Sequence, residues 1–471
     1  MSGGDTAASI AARFRGTGTA RVVGVRLLRG FVFLNISILV VNAGAYAYQL
    51  LASRGLGVAG YGLWNSFLSF YLIAYIPGWT VNLVVARRVA ELSTQNAGTV
   101  RAYAQTMTLR VGSVLVGALV VLLALCPVAH PLARSIPLAA LILVVVATIT
   151  NLALPLPLGG LQGLQEFGQL SFVMALRSAL ALILGGLLVV LGAGLPGVLG
   201  GLVLGNLGAL LVGAAMLARL VGSGRRPMVS VPKAPAASVS ENYLTVTATY
   251  AFVTVMLYVD TLFAQHFLGA EEAGRYAVVA VASRIIFFAP YAVMTIVVPR
   301  VAAHTAARRD TRPLLAGGIL LTVAATLPFV AAYAVAPRRL LRLFFGPAYA
   351  SSPVADLLPR YAVAVALLAL TFFLVHYFMA CRRHTYLVAL AAGLVALALC
   401  LTVSHSRASD LVRAILLGNA VAAGLLTGLA VATSLRQPQP RLQPEARGVP
   451  ATPSISSENY AHISGNRHNQ R

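Results

Sequence analysis

Apolar runs long enough to cross a bilayer recur along the chain, each bounded by a short polar or basic break. A spanning helix needs about 20 apolar residues. Runs of that kind lie near 30–51, 63–85, 109–129, 137–156, 170–192 and 196–217. A break rich in Gly, Pro and Ser follows over 219–242, and a second set lies near 244–267, 277–299, 314–336, 361–380, 385–403 and 411–434. The pattern predicts an all-α polytopic membrane protein with about 12 transmembrane helices in two six-helix lobes. The expected units are a basic N-tail (1–26), a first repeat (27–218), a linker (219–242) and a second repeat (243–435). The C-tail (436–471), rich in Gln, Pro, Ser and Asn, lacks periodicity and is expected to be disordered.

The two sets are related. Leu56–Leu92 returns 212 residues later as Leu268–His304, each copy opening on Leu-Gly and reaching a further Gly and a Tyr (Gly60-Tyr61; Gly274 and Tyr276). Both copies close on an aliphatic-Val-x-x-Arg-Val-Ala signature, which sets Arg88 against Arg300. Leu204-Gly205-Asn206 likewise returns as Leu417-Gly418-Asn419, at an offset of 213. A near-constant offset across separate matches points to internal duplication. Six spans per unit put both copies the same way up, as two bundles with a cleft between them.

Composition agrees: 59% of residues are hydrophobic and 10% charged, and the mean hydropathy is +0.84. Soluble domains carry about 25% charged residues. The net charge of +23 comes almost wholly from Arg, with Lys233 the single lysine. Nucleic-acid binding is not the reading, because the charge sits in alternate loops: 24 of the 35 Lys and Arg lie on one side and 9 on the other, with Arg177 and Arg284 inside spans. The positive-inside rule then places both termini in the cytoplasm. The loop 337–360, outside in this arrangement, is Arg-rich and reads as an anion-attracting rim. Cys126, Cys381 and Cys400 have no metal-ligand spacing, and no ATP-cradling loop, paired carboxylates or catalytic triad appears. The protein is expected to be no enzyme and to need no cofactor beyond a coupled H⁺ or Na⁺.

Ionisable groups within spans are functional candidates, since each costs roughly 2.5–3.5 kcal/mol to insert. Asp260 is a candidate ion-coupling group. Arg284 is expected to face the cleft and hold a phosphate, with a salt bridge to Asp260 as the structural alternative; Arg177 is a second candidate cation. The first helix carries Asn35, Asn42 and Gln49 at seven-residue steps. Its counterpart in the second unit carries Tyr243, Thr247, Tyr250, Thr254, Tyr258, Thr261 and Gln265 at steps of three and four. Two such stripes at equivalent places suggest a wetted, substrate-lining cavity, whereas one is explained by interhelical bonding. Arg88 and Arg300 are candidates for a cytoplasmic gate attracting anions, or for helix-end anchors. Pro77 and Pro290 are expected to bend the second helix of each unit.

The stretches LGVAGYGLWNSF…VVARRVAEL and YVDTLFAQHFLGAEEAGRYAVVAVASRIIFF…VVPRVA resemble the polysaccharide-transporter (Wzx-like) branch of the multidrug/oligosaccharidyl-lipid/polysaccharide flippase superfamily. The run Gly159–Phe167, with Met379–His384 in the corresponding place, is similar to that family's loop between helices four and five. The likeness covers roughly 27–435. It implies V-shaped lobes, alternating access, and export of an undecaprenyl-diphosphate-linked oligosaccharide across a bacterial inner membrane, with glycosyltransferases and a glycan polymerase as partners. Ala282-Ser283-Arg284-Ile285 matches an Arg-bearing motif of the superfamily's lipid II flippases, which commonly have more helices. Its drug exporters carry an acid on the first helix, absent here. The alternatives are an ion-coupled multidrug exporter and, from another class, a membrane glycan polymerase, transferase or assembly scaffold. Against a transferase, the first loop (52–62) has no acid.

Overall fold

The computed structural model describes residues 40–93, 97–129, 136–222, 239–351 and 353–435. The N-tail, Asn35, most of the linker and the C-tail lie outside the described residues. Of those described, 91% are helical and none is in a strand. Helix α1 covers 40–55. Next come α2 (Gly57–Ala74) and α3 (Ile76–Ser93), one span of 37 residues broken at Tyr75 beside Pro77. Then follow α4 (Ala97–Ala129), α5 (Leu138–Ala153), the short α6 (Pro155–Gly163), α7 (Phe167–Val190) and α8 (Gly194–Gly222). The second lobe holds α9 (Val239–Phe267), α10 (Ala270–Phe288), α11 (Tyr291–Ala306) and α12 (Arg312–Val335). After α13 (Pro337–Phe345), α14 (Pro347–Ala350) and a 3₁₀ turn (Pro353–Leu357) come α15 (Leu358–Ala380), α16 (Tyr386–Val403) and α17 (Ala408–Leu435).

Ten of these segments are long and apolar enough to span a membrane, and α10 with α11, bent by 43°, makes an eleventh. The expected span at 30–51 begins outside the described residues. Helices overrun the apolar runs because backbone hydrogen bonding does not stop where lipid does. The first turns of α4, with Arg101 exposed, precede the run at 109–129. The break at Tyr75 and the bend between α10 and α11 lie beside Pro77 and Pro290 respectively.

The duplicated motifs make the same contacts in each half. Asn206 donates Nδ2 to the Ala147 carbonyl (3.0 Å), and Asn419 donates to the Ala364 carbonyl (2.8 Å). A Cβ on Gly205 would lie 2.7 Å from the Arg177 carbonyl on α7, and one on Gly418 would lie 2.7 Å from Leu397 on α16. Leu204 and Leu417 face outward. One residue of each triplet therefore meets lipid, one lets the adjacent helix close in, and one ties a third helix, a division suited to helix packing in a membrane. The helix ends at Gly163 and Ala380 also match. Leu164 and Cys381 donate four residues back, at 3.0 Å each, and the following residues, Gln165 and Arg382, take positive φ (59° and 55°). The close pairs α7–α8 and α5–α8 recur as α16–α17 and α15–α17.

The lobes meet along an antiparallel contact of α2 and α3 with α9. Ser69 Oγ meets Thr261 Oγ1 (2.5 Å), Thr80 Oγ1 meets Thr247 Oγ1 (2.5 Å), and the Arg87 guanidinium lies 5.9 Å from the Tyr243 ring centroid. At the end bearing the α1–α2 turn the seal is backbone-tight: a Cβ on Gly274 would collide with the Val58 carbonyl. There α10 packs along α2; beyond the bend, α11 packs on α12 and α15 of its own lobe. The lobes thus meet along α2, α3 and α9, most tightly at the end bearing the α1–α2 turn, while α11 turns to its own lobe. The stretch 337–360, expected as a loop, is instead built of α13, α14 and the 3₁₀ turn, and it straps the closed end. Tyr349 donates its hydroxyl to the Ser53 carbonyl (2.8 Å), and Phe345 packs edge-on to Tyr46.

Candidate functional site

Arg284 and Asp260 form a sealed cluster. The α9–α10 hairpin brings them together, with side chains 8% and 0% exposed. Asp260 Oδ1 receives Arg284 Nη2 at 3.2 Å, and Oδ2 receives the hydroxyls of Tyr276 (2.8 Å) and Tyr361 (2.5 Å). Arg284 Nε donates to the Leu257 carbonyl (3.1 Å), and the Tyr258 ring centroid lies 4.6 Å from its guanidinium carbon. Thr261, which takes a long bond from Arg284 Nη2 (3.5 Å), also meets Ser69 and so links the cluster to the first lobe. The expectation that Arg284 faces the cleft does not describe this arrangement. Its guanidinium is spent on Asp260, because a buried cation is tolerated only when a carboxylate and further hydrogen bonds replace its water.

Arg177 is the contrasting case. Its Nε donates to Asn206 Oδ1 (2.9 Å), and its Nη2 donates to Tyr71 Oη (2.5 Å) and Asn151 Oδ1 (2.9 Å). All three partners are buried and neutral. The Asn206 bond to Ala147 turns its side-chain oxygen toward the guanidinium. No carboxylate among the described residues lies within ion-pair distance of Arg177, and its Nη1 donates to none of them. The site is a half-buried positive charge with spare donors, held in place by amides and a phenol. It is suited to an anion.

From Arg177 an aromatic wall runs to the lobe junction. Tyr75 follows Tyr71, the phenol that Arg177 bonds, by four residues and packs edge-on to Trp79 (5.5 Å). Trp79 stacks on Tyr250 of the second lobe (5.6 Å, 14° between planes). Tyr250 contacts Phe372 and His376, and Phe372 contacts Tyr291. Trp79, Phe288 and Tyr291 remain 48%, 40% and 42% exposed.

The other sequence candidates divide. Tyr250 and Tyr258 belong to the wall and the cluster respectively, and Thr254 lies half-buried between them on α9. Gln49 does not line a wetted stripe: its Oε1 accepts from Trp64 Nε1 (2.9 Å), and its Nε2 donates to Asn65 (3.5 Å). Asn42 is exposed, two turns away. Arg88 and Arg300 are exposed at the end opposite the α1–α2 turn, with Arg88 paired to Glu91 (3.0 Å). Sequence reasoning missed Asn151, Tyr71, Trp79 and Tyr361. It quoted Asn206 and Tyr276 only as repeat markers, where a recurring polar residue in an apolar run was the available signal.

No family model matches the sequence, and no curated protein does. Solved structures are similar. An inward-facing conformation of a multidrug resistance MATE family transporter of the MOP superfamily matches at a TM-score of 0.69 and 12% identity, over 86% of this chain and 98% of that one. An outward-facing conformation matches at 0.58 and 16% identity, over 88% and 98%. MATE in complex with MaL6 matches at 0.58 and 15%, over 88% and 98%. At such identities the likeness establishes architecture: this multi-pass, all-helical membrane protein has the two-lobed MATE-type transporter fold.

Proposed function

We propose that the protein is a flippase exporting a lipid-linked, undecaprenyl-diphosphate oligosaccharide or polysaccharide precursor across a bacterial inner membrane by alternating access. The observation that carries the reading is Arg177, a positive charge within a span that has neutral partners only. A diphosphate supplies the missing negative charge, and the two N–H groups that remain on Nη1 of Arg177 can donate to its oxygens. The wall of Tyr75, Trp79, Tyr250, Phe288 and Tyr291 offers ring faces to sugars and prenyl chain. Arg88 and Arg300, exposed at the end opposite the α1–α2 turn, draw the headgroup in from the cytoplasmic side, where both termini also lie.

Asp260 is the coupling group in this reading. Its oxygens already hold a guanidinium and two phenols, so a coupling ion has to displace one of these partners. The fold supports a multidrug exporter equally well. Against amphipathic cations stands the charge of the cleft: the one carboxylate set into the body of a described span is neutralised by Arg284. Binding separates the readings. Quenching of the tryptophans (Trp64 and Trp79) by a short-chain prenyl diphosphate should weaken about tenfold or more in Arg177→Gln. Equal binding of an amphipathic cation, with no response to the diphosphate, would favour the drug exporter.

A further inference from the structure

The strap closing the lobe junction has its own charge pattern, separate from the cleft and independent of the transport reading. Helix α13 reads PRRLLRLFF. Leu341 and Phe345, one turn apart, are buried against the protein, while Leu343 and Phe344 are exposed beside exposed Arg338, Arg339 and Arg342. Val335 at the end of α12 and α15 beyond the 3₁₀ turn bracket this helix with spans. An amphipathic helix between two spans, with apolar and basic residues both exposed, lies at headgroup depth.

Between this helix and the first lobe is a cavity of about 510 Å³. Its two charged lining residues are Arg54 from the end of α1 and Arg342 from α13, with Gly57, Phe345 and Tyr349 among the rest and no acid. Arg338 is committed to Asp356 by two bonds (2.9 and 2.6 Å), whereas Arg342 has no ion pair among the described residues. Arg54 makes one long bond, to the Phe344 carbonyl (3.4 Å), which draws its head across the junction. Two arginines from opposite lobes thus converge on one open cavity with nothing negative between them. An anion seated there would meet both charges at once.

We propose that this cavity binds the phosphate of an anionic phospholipid headgroup, which bridges Arg54 and Arg342 and holds this end of the lobes shut. The lipid rather than a soluble anion is favoured because Leu343 and Phe344 set the cavity at the bilayer surface, where acyl chains lie alongside. The site exists only while the lobes are closed here, so a bound lipid would bias the protein toward the state with the opposite end open.

Hydrogen exchange on the full chain in nanodiscs tests this. Replacing phosphatidylcholine by phosphatidylglycerol is expected to slow amide exchange in 53–58 and 337–349 about tenfold. The effect should vanish in Arg54→Gln and in Arg342→Gln, and return in Arg54→Lys with Arg342→Lys. Both arginines are exposed, so the variants should fold. Equal exchange in the two lipids, or unchanged protection in the Gln variants, would overturn the proposal. Protection by inorganic phosphate as strong as that by the lipid would overturn the lipid assignment in favour of a soluble anion.

Discussion

Removing Asp260 while keeping Arg284 should be among the most damaging single changes in the second lobe. In Asp260→Ala the Arg284 guanidinium keeps its burial and loses its carboxylate, and two phenols, Tyr276 and Tyr361, lose their acceptor. Breaking a buried ion pair from one side costs about 3–5 kcal/mol, and each orphaned hydroxyl adds roughly 1–3 kcal/mol where water does not enter. Replacing both partners by apolar residues of similar volume, Asp260→Leu with Arg284→Met, should recover most of the pair's share, because neither charge is then left buried. Unfolding of purified protein in mixed detergent and SDS, followed by tryptophan fluorescence, reports this directly: Trp64 and Trp79 lie on the two halves of the span that packs against α9. Sequential single and double variants form a mutant cycle. A cost below about 1 kcal/mol for Asp260→Ala would refute the reasoning, since it would mean that water reaches the pair.

Other consequences are simpler. Asn206→Ala should cost more than Asn419→Ala in the same titration. Both lose a helix-tying bond, but Asn206 also holds a guanidinium, a contact worth roughly 1.5–3 kcal/mol. Gly274→Val should loosen the closed end by about 1–3 kcal/mol and raise amide exchange in α2 and α10, because its side chain meets the Val58 carbonyl. Trp79→Ala should cost about 2–4 kcal/mol in unfolding, from its stack on Tyr250 and the buried half of its ring, while cutting substrate binding several-fold.

The spans were legible because lipid demands long apolar runs, and the repeat was legible because its polar punctuation, Asn206 and Asn419, is rare in such runs. Helix periodicity says which side chains share a face but not which helix covers it. Gln49 and Asn42 therefore read as one wetted stripe, although Trp64 and Asn65 cover only Gln49. The Asp260–Arg284 pair was foreseeable as one of two options, since a short hairpin joins their helices. Its tyrosine partner Tyr361 was not, lying 101 residues away on α15. The partners of Arg177 come from three other helices, which no local pattern reveals. The strap was misread as a loop because PRRLLRLFF is too short and too basic to register as a span.

The central claim is that an anionic, lipid-linked headgroup crosses the membrane past Arg177. Its most direct test is leaflet translocation in vesicles bearing fluorescent undecaprenyl-diphosphate oligosaccharide on one leaflet, with H⁺ and Na⁺ gradients imposed in turn. The account predicts movement by wild type and a rate lower by roughly tenfold or more in Arg177→Gln, at equal amounts of folded protein. Movement by Arg177→Gln at the wild-type rate, or no movement by wild type that still carries an amphipathic cation, would contradict it.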